Sequence, residues 1–167
     1  LTADMDNTDK LVLLKDDCLQ FRIKLEAPDI NVSQYEFAVT GESSVSYGLG
    51  AIKGVGQSII DNIVAEREAN GRYVTLLDLC RRVDQQRINR RVLEALVRSG
   101  ALDCLGESRA TLMGAIPNTL RLAANAAFAT AAGQGALFAE HDSSGDFEQL
   151  LTPVPEWNEQ ERLKGER

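Results

Sequence analysis

Long apolar runs are missing from this sequence. None approaches the roughly 20 residues that a membrane-spanning helix needs, so no membrane partner is expected. The N-terminus, Leu1-Thr2-Ala3-Asp4, lacks the charged start and apolar core of a secretory signal. It also lacks an initiator methionine, which suggests a piece cut from a longer protein. Cysteine is scarce: Cys18, Cys80 and Cys104 are odd in number, far apart and never in a CxxC pair. That spacing indicates neither a zinc site nor a disulfide framework, and buried, reduced thiols in a cytoplasmic protein are expected. His141, the only histidine, lies in an acidic polar stretch without a partner for metal or triad chemistry. No carboxylate pair sits in a catalytic context, and Asp16-Asp17 reads as the solvated face of a helix. No catalytic residue, metal ligand or bound cofactor is therefore expected within this chain. Aromatic residues make up only 5%, yet 44% apolar residues in a chain of 167 allow a real core.

An excess of basic charge is lacking too, since the net charge is −7. Its distribution matters more than its total. Residues 1–44 carry four Lys/Arg against nine Asp/Glu, and residues 111–167 carry four against eight. Residues 45–110 carry ten against eight, and nine of those ten are arginines. An anionic partner is expected in that middle region, held weakly.

The middle region also holds the most informative stretch. Tyr47-Gly-Leu-Gly-Ala-Ile-Lys53-Gly54-Val55-Gly56 runs into Gln57-Ser58 and an apolar-periodic helix. Glycine accepts positive φ without a Cβ clash, so Gly-Val-Gly can bend sharply with Val55 turned inward. A helix starts at the bend, so unpaired N–H groups and the positive end of the helix dipole converge there. Such a point accepts a phosphate. A tight connection serving helix packing alone would use the same residues. Val92-Leu93-Glu94-Ala95-Leu96-Val97-Arg98-Ser99-Gly100-Ala101-Leu102-Asp103 looks like a repeat of the plan. Two helix-hairpin-helix units in tandem grip both strands of duplex DNA through phosphates, without reading bases. Amides around Gly54, Gly56 and Gln57, assisted by Lys53 and Ser58, are expected at one strand. Those around Ser99, Gly100 and Leu102 are expected at the other, with Arg90, Arg91 and Arg109 adding contacts.

The fold class that follows is mainly α, a tandem helix-hairpin-helix domain with a small N-terminal helix-plus-β element. Residues 5 to about 21 read as a helix with Leu11, Leu13, Leu14, Cys18 and Phe21 on one side. Arg22 to Leu25 and Tyr35 to Val39 alternate as short strands, separated by turn residues. A helix follows from Ser58 to about Ala69, with Ile59, Ile60, Ile63 and Val64 inward and Asn70-Gly71 closing it. Thr75 is the expected N-cap of the next helix, and Asn89 opens a third through Arg98. Asp84 and Gln85-Gln86 break the pattern between them. Ser108 to about Ala131 forms a long alanine-rich helix with an interruption near Pro117. Past Gly133, residues 141–146 resemble a linker. The expected division is 1–46, then 47–132 for the hairpins, then 133–167.

The order Tyr47 to Gly56, Leu77-Asp-Leu-Cys80, Asn89-Arg-Arg-Val-Leu-Glu-Ala-Leu96 and Ser99-Gly-Ala-Leu-Asp103 closely resembles the alpha subunits of bacterial DNA polymerase III. These are the C-family replicative polymerases. Leu25-Glu-Ala-Pro-Asp-Ile-Asn31 is similar to the end of that family's fingers region, with Ala27 where a second proline is usual. Trp157 to Arg167 resembles the entry to the C-terminal portion, ahead of its OB-fold. The resemblance implies a parent DNA-directed DNA polymerase, with two Mg2+ ions held by palm aspartates upstream of residue 1. This segment would then be inert by itself and would hold duplex behind the active site.

Gln134-Gly135-Ala136-Leu137-Phe138 resembles the family's clamp-docking peptide. Gln134 would bond a pocket rim, with Ala136 beside it and Leu137 and Phe138 as paired apolar anchors. Partners implied are duplex DNA, the sliding clamp and other replicase subunits. Two alternatives stay open: a protein–protein interaction module, and a DNA-repair domain. The second would need a catalytic aspartate or lysine after the hairpin, and Asp61 lies in mid-helix.

Overall fold

The computed structural model describes residues 1–5, 7–84, 86–131, 151 and 153–165. Gln134, Ala136, Leu137 and Phe138 lie outside the described residues, as does His141. The chain starts with a 3-10 turn, Thr2–Asp4, and helix α1, Thr8–Gln20. Asn7 caps α1 by accepting the Lys10 N–H at 3.1 Å, so the helix begins three residues later than residue 5. Only Leu11 and Cys18 of its expected apolar side are buried; Leu13 and Phe21 are exposed. After α1 the backbone reverses at Arg22, whose φ of 58° is the one positive value at a non-glycine among the described residues.

Three short strands follow, β1 Lys24–Glu26, β2 Ala38–Gly41 and β3 Ser44–Ser46, in the order β1-β3-β2. β1 pairs parallel with β3, and β2 pairs antiparallel with it. β3 takes in Val45 and Ser46, which in sequence read as the approach to the first bend. Tyr35 to Phe37 precede β2 instead of belonging to it.

A loop at residues 29–33 joins this sheet to the helices. Asn31 donates to the Tyr73 carbonyl at 3.0 Å and accepts the Tyr73 N–H at 2.7 Å, as a strand neighbour would. Arg67 is buried and donates to the carbonyls of Ile30 and Ser33, each at 2.9 Å. A buried cation is tolerable only when its donors are used, and two carbonyl dipoles do that here.

The helical part comprises α2 Gln57–Asn70, α3 Leu76–Arg82, α4 Arg90–Ser99 and α5 Arg109–Ala131. Thr75 caps α3 by accepting the Asp78 N–H, and Asn89 caps α4 by accepting the Val92 N–H. α5 lies against both α3 and α4. Ile60, Ile63, Leu76, Leu79, Leu93, Leu96, Leu112 and Ile116 form one continuous core, and Ile30 belongs to it. The helix runs through Pro117 without interruption. Burial of Leu112, Ala115, Ile116 and Thr119 on either side holds the turn that proline would otherwise break.

The chain returns at residues 153–158 and ends in α6, Glu159–Gly165. This return is tied to the start of α5: Val154 exchanges hydrogen bonds with Thr111 and Ser108, and the Glu156 carboxylate accepts the Arg109 N–H at 3.1 Å. Cys18 and Cys80 are buried as expected. Cys104 is not: it is exposed in a 3-10 turn after α4, with its sulfur beside the Asn31 amide at 3.4 Å.

Candidate nucleic-acid interface

The first bend is open to solvent. Lys53, Gly54, Gly56, Gln57 and Ser58 are exposed, whereas Val55 is buried and anchors the turn in the core beside Ile52. Val55 N–H closes the turn on the Ile52 carbonyl at 3.2 Å. Gly54 has φ 93°, a conformation that a side chain would strain. Gly56, the N-cap of α2, is different. Its φ of −77° suits any residue, and a Cβ added there would meet nothing within 4 Å. It supplies no side-chain cap, so the first N–H groups of α2 point outward. Among the described residues, the amides of Gly56, Gln57 and Ser58 have no acceptor.

The second bend lies elsewhere than Ser99 to Leu102. Gly100 is the left-handed C-cap of α4, with φ 84°. Its N–H returns to the carbonyls of Leu96 and Val97, and the Ala101 N–H returns to Leu96. Ser99 spends its hydroxyl on the Leu96 carbonyl at 3.0 Å, and Gly100 and Leu102 are buried. A helix C-terminus presents carbonyl oxygens and the negative dipole end, which disfavours phosphate. Arg109 is also no surface contact. Its buried guanidinium lies against Gly100 and binds Asp103 through Nε at 2.8 Å and Nη2 at 2.7 Å. Ser99, Gly100, Leu102 and Arg109 therefore have structural roles.

A glycine-free counterpart of the first bend stands at the other end of α4. Val83 and Ile88 are buried as Ile52 and Val55 are, and the extended N-cap Asn89 stands where Gly56 stands. Asp84 organises this bend: its carbonyl accepts the N–H groups of Arg87 and Ile88, and its carboxylate accepts the Gln86 N–H at 2.9 Å. The amides of Arg90 and Arg91 have no acceptor among the described residues. Arg91 and Lys53 are exposed and form no ion pair among the described residues. Arg90 is paired to Glu94 at 2.7 Å. Its hydrogen bond is the main reason the Glu94 carboxyl is held below its ordinary range.

Two contacts join the bends. Arg87 donates from Nη1 to the Ser58 carbonyl at 3.1 Å, and the Asp84 N–H donates to the Asn62 side chain at 2.9 Å. The bend that introduces α4 is thus bonded to the first two turns of α2, with Arg87 reaching the Ser58 carbonyl beside the open end of that helix. The signal that could have located the second bend is the Val-x4-Ile spacing ahead of a capping asparagine. No group of three or more His, Cys, Asp or Glu among the described residues could hold a metal. No helix among them is long and apolar enough to cross a membrane.

Residues 22–112 match the family model of the helix-hairpin-helix motif. The chain is also 43% identical, over 168 aligned positions, to the DNA polymerase III subunit alpha of Vibrio cholerae. Identity is 44% to that of Escherichia coli K12 and 43% to that of Xylella fastidiosa Temecula1. Each alignment covers 100% of this chain and 14% of the relative's length.

Proposed function

The chain belongs to the helix-hairpin-helix motif family, and from that premise we propose that it is the duplex-holding part of a bacterial replicative polymerase alpha subunit. The observation that carries this reading is the pair of open helix N-termini, fastened together by Arg87 and the Ser58 carbonyl. N–H groups at Gly56, Gln57 and Ser58 receive phosphates of one strand, with Lys53 alongside. N–H groups at Arg90 and Arg91 receive those of the other, with the Arg91 side chain adding charge. No base edge is read, because main-chain amides on phosphates carry no sequence information.

Only a few phosphates are engaged, and the flanking regions are acidic. Affinity therefore falls steeply with salt, by about 0.9 in log K per log salt for each phosphate neutralised. Useful holding strength in the proposed parent comes from tethering to the catalytic part and to a clamp, which raises effective concentration. Polymerisation and its Mg2+ ions belong to that parent, and this chain contributes no group to the chemical step. In the same proposal the segments 1–46, 47–132 and 133–167 serve as fingers end, duplex holder and clamp connection. Other replicase subunits are partners of the parent.

The peptide with Gln134, Ala136, Leu137 and Phe138 is proposed to dock a sliding clamp, supported by its glutamine and adjacent apolar anchors. Capture on purified clamp, comparing the chain with its Leu137→Ala/Phe138→Ala variant, tests this; equal recovery contradicts it. The duplex-holding reading is tested by salt titration of DNA binding. Binding that persists unchanged in Gly56→Val contradicts it and favours a bend that serves protein packing alone.

A further inference from the structure

We infer that the two hydrogen bonds between α2 and the second bend set the spacing of the two phosphate-accepting helix ends, and that this spacing makes the chain prefer duplex over single-stranded DNA. The inference rests on the duplex-holding reading above. It assigns Arg87 and Asn62 as positioning residues, neither of which belongs to the amide sites themselves.

The geometry argues for a latch. The second bend has no glycine and is shaped by Asp84, whose carboxylate and carbonyl hold Gln86, Arg87 and Ile88. Asp84 is itself bonded to α2 through the Asn62 side chain at 2.9 Å. Arg87 pairs with Asp84 through Nε at 3.0 Å and reaches the Ser58 carbonyl with Nη1 at 3.1 Å. Each bond ends on α2 within two turns of its open N-terminus. The bend that introduces α4 is thereby fixed to the helix that presents the other amides.

A single strand needs only one of the two helix ends. A duplex offers phosphates on two strands at a fixed separation, and it engages both ends only if their separation is fixed as well. Loosening the latch leaves each end intact but makes simultaneous engagement rarer. The loss should thus fall on duplex binding and spare single-strand binding.

The experiment measures the affinity of the 167-residue chain for a duplex and for one of its strands at equal salt, with thermal melts confirming folding. Wild type is compared with Asn62→Ala, Arg87→Ala and Arg87→Lys. Asn62→Ala removes no charge, so any loss there is not a lost ion contact. The expected result is a duplex preference in wild type that falls roughly five- to tenfold in Asn62→Ala and Arg87→Ala. Single-strand affinity stays the same in Asn62→Ala, and Arg87→Lys recovers part of the preference through its remaining donor. Full preference in Asn62→Ala overturns the latch, as does an equal loss on both DNAs in Arg87→Ala, which would make Arg87 a direct phosphate contact. Wild type that binds both DNAs equally also overturns it. Failure of wild type to bind any DNA overturns the duplex-holding reading instead.

Discussion

Arg109 holds Asp103 with two parallel hydrogen bonds, Nε to Oδ1 at 2.8 Å and Nη2 to Oδ2 at 2.7 Å, directly over Gly100. The pair is asymmetric: the Arg109 side chain is 5% exposed and that of Asp103 45%. Removing the carboxylate takes two charge-assisted hydrogen bonds from a buried guanidinium, whereas removing Arg109 leaves a carboxylate that water can reach. Asp103→Ala should therefore cost about 2 kcal/mol, below the full cost of breaking a buried pair because Asp103 is half solvated. Urea unfolding measures this. DNA affinity of the folded variant should be unchanged, which separates this turn from the interface.

Gly54 and Gly56 should respond to substitution for different reasons and by different amounts. Gly54 sits at φ 93°, so Gly54→Ala strains the turn by roughly 1–2 kcal/mol. Gly56 has an ordinary φ and open space around a would-be Cβ, so Gly56→Val adds no strain and should lose only the roughly 0.5–1 kcal/mol by which glycine outranks valine as an N-cap. Thermal melts of the two variants check the contrast.

These two glycines also show how far the residues alone were informative. The shape of the first bend was legible because Gly54 accepts the positive φ that the turn takes and Val55 is the apolar residue that it turns inward. The helix caps Thr75 and Asn89 were legible because a side-chain acceptor ahead of a helix has one task. The second bend was not legible, since it is made without glycine, from buried Val83 and Ile88 and the hub Asp84. The glycine that drew attention, Gly100, serves a helix end, and a C-cap and a phosphate turn look alike in sequence. Arg109 reads as a phosphate contact because nothing in the sequence shows that the chain folds it inward onto Asp103, and nothing marks Arg67 as buried because its carbonyl partners, at Ile30 and Ser33, are far away along the chain. α1 misled for a related reason: its apolar spacing is helical, but Leu13 and Phe21 face no element among the described residues.

Glu156 should give the chain a measurable acid sensitivity. Desolvation raises its carboxyl although the residue is exposed, but N–H donors from Trp157, Arg109 and Ala110 outweigh that and bring it below its ordinary 4.5. A depressed folded-state value means the carboxylate stabilises the fold above about 4.5 and that this contribution fades as pH falls below it. Glu156→Gln should then lose no more than about 0.5 kcal/mol at pH 7, because solvent screens this exposed carboxylate. The difference from wild type should vanish in acid. Urea titrations at several pH values measure it.

Thiol chemistry should distinguish folded from unfolded chain at Cys80 and Cys104. Burial pushes the Cys80 thiol up to about 12. Cys104 is pushed up to about 11, by desolvation first and then by the Asp29 carboxylate. At pH 8 little thiolate exists at either, so alkylation of native protein should be slow even at exposed Cys104 and fast after denaturation. Mass spectrometry of iodoacetamide-treated protein checks this; rapid native labelling of Cys104 would contradict it.

Duplex affinity of the chain across a range of salt concentrations, for wild type and Gly56→Val side by side, bears most directly on the account. The expected outcome is a log–log slope equivalent to several phosphates in wild type. In the folded variant, affinity should drop at least about tenfold and the slope should be shallower by about 0.9 for each phosphate displaced. A flat salt dependence in wild type, or a folded Gly56→Val that binds duplex as tightly as wild type, would contradict it.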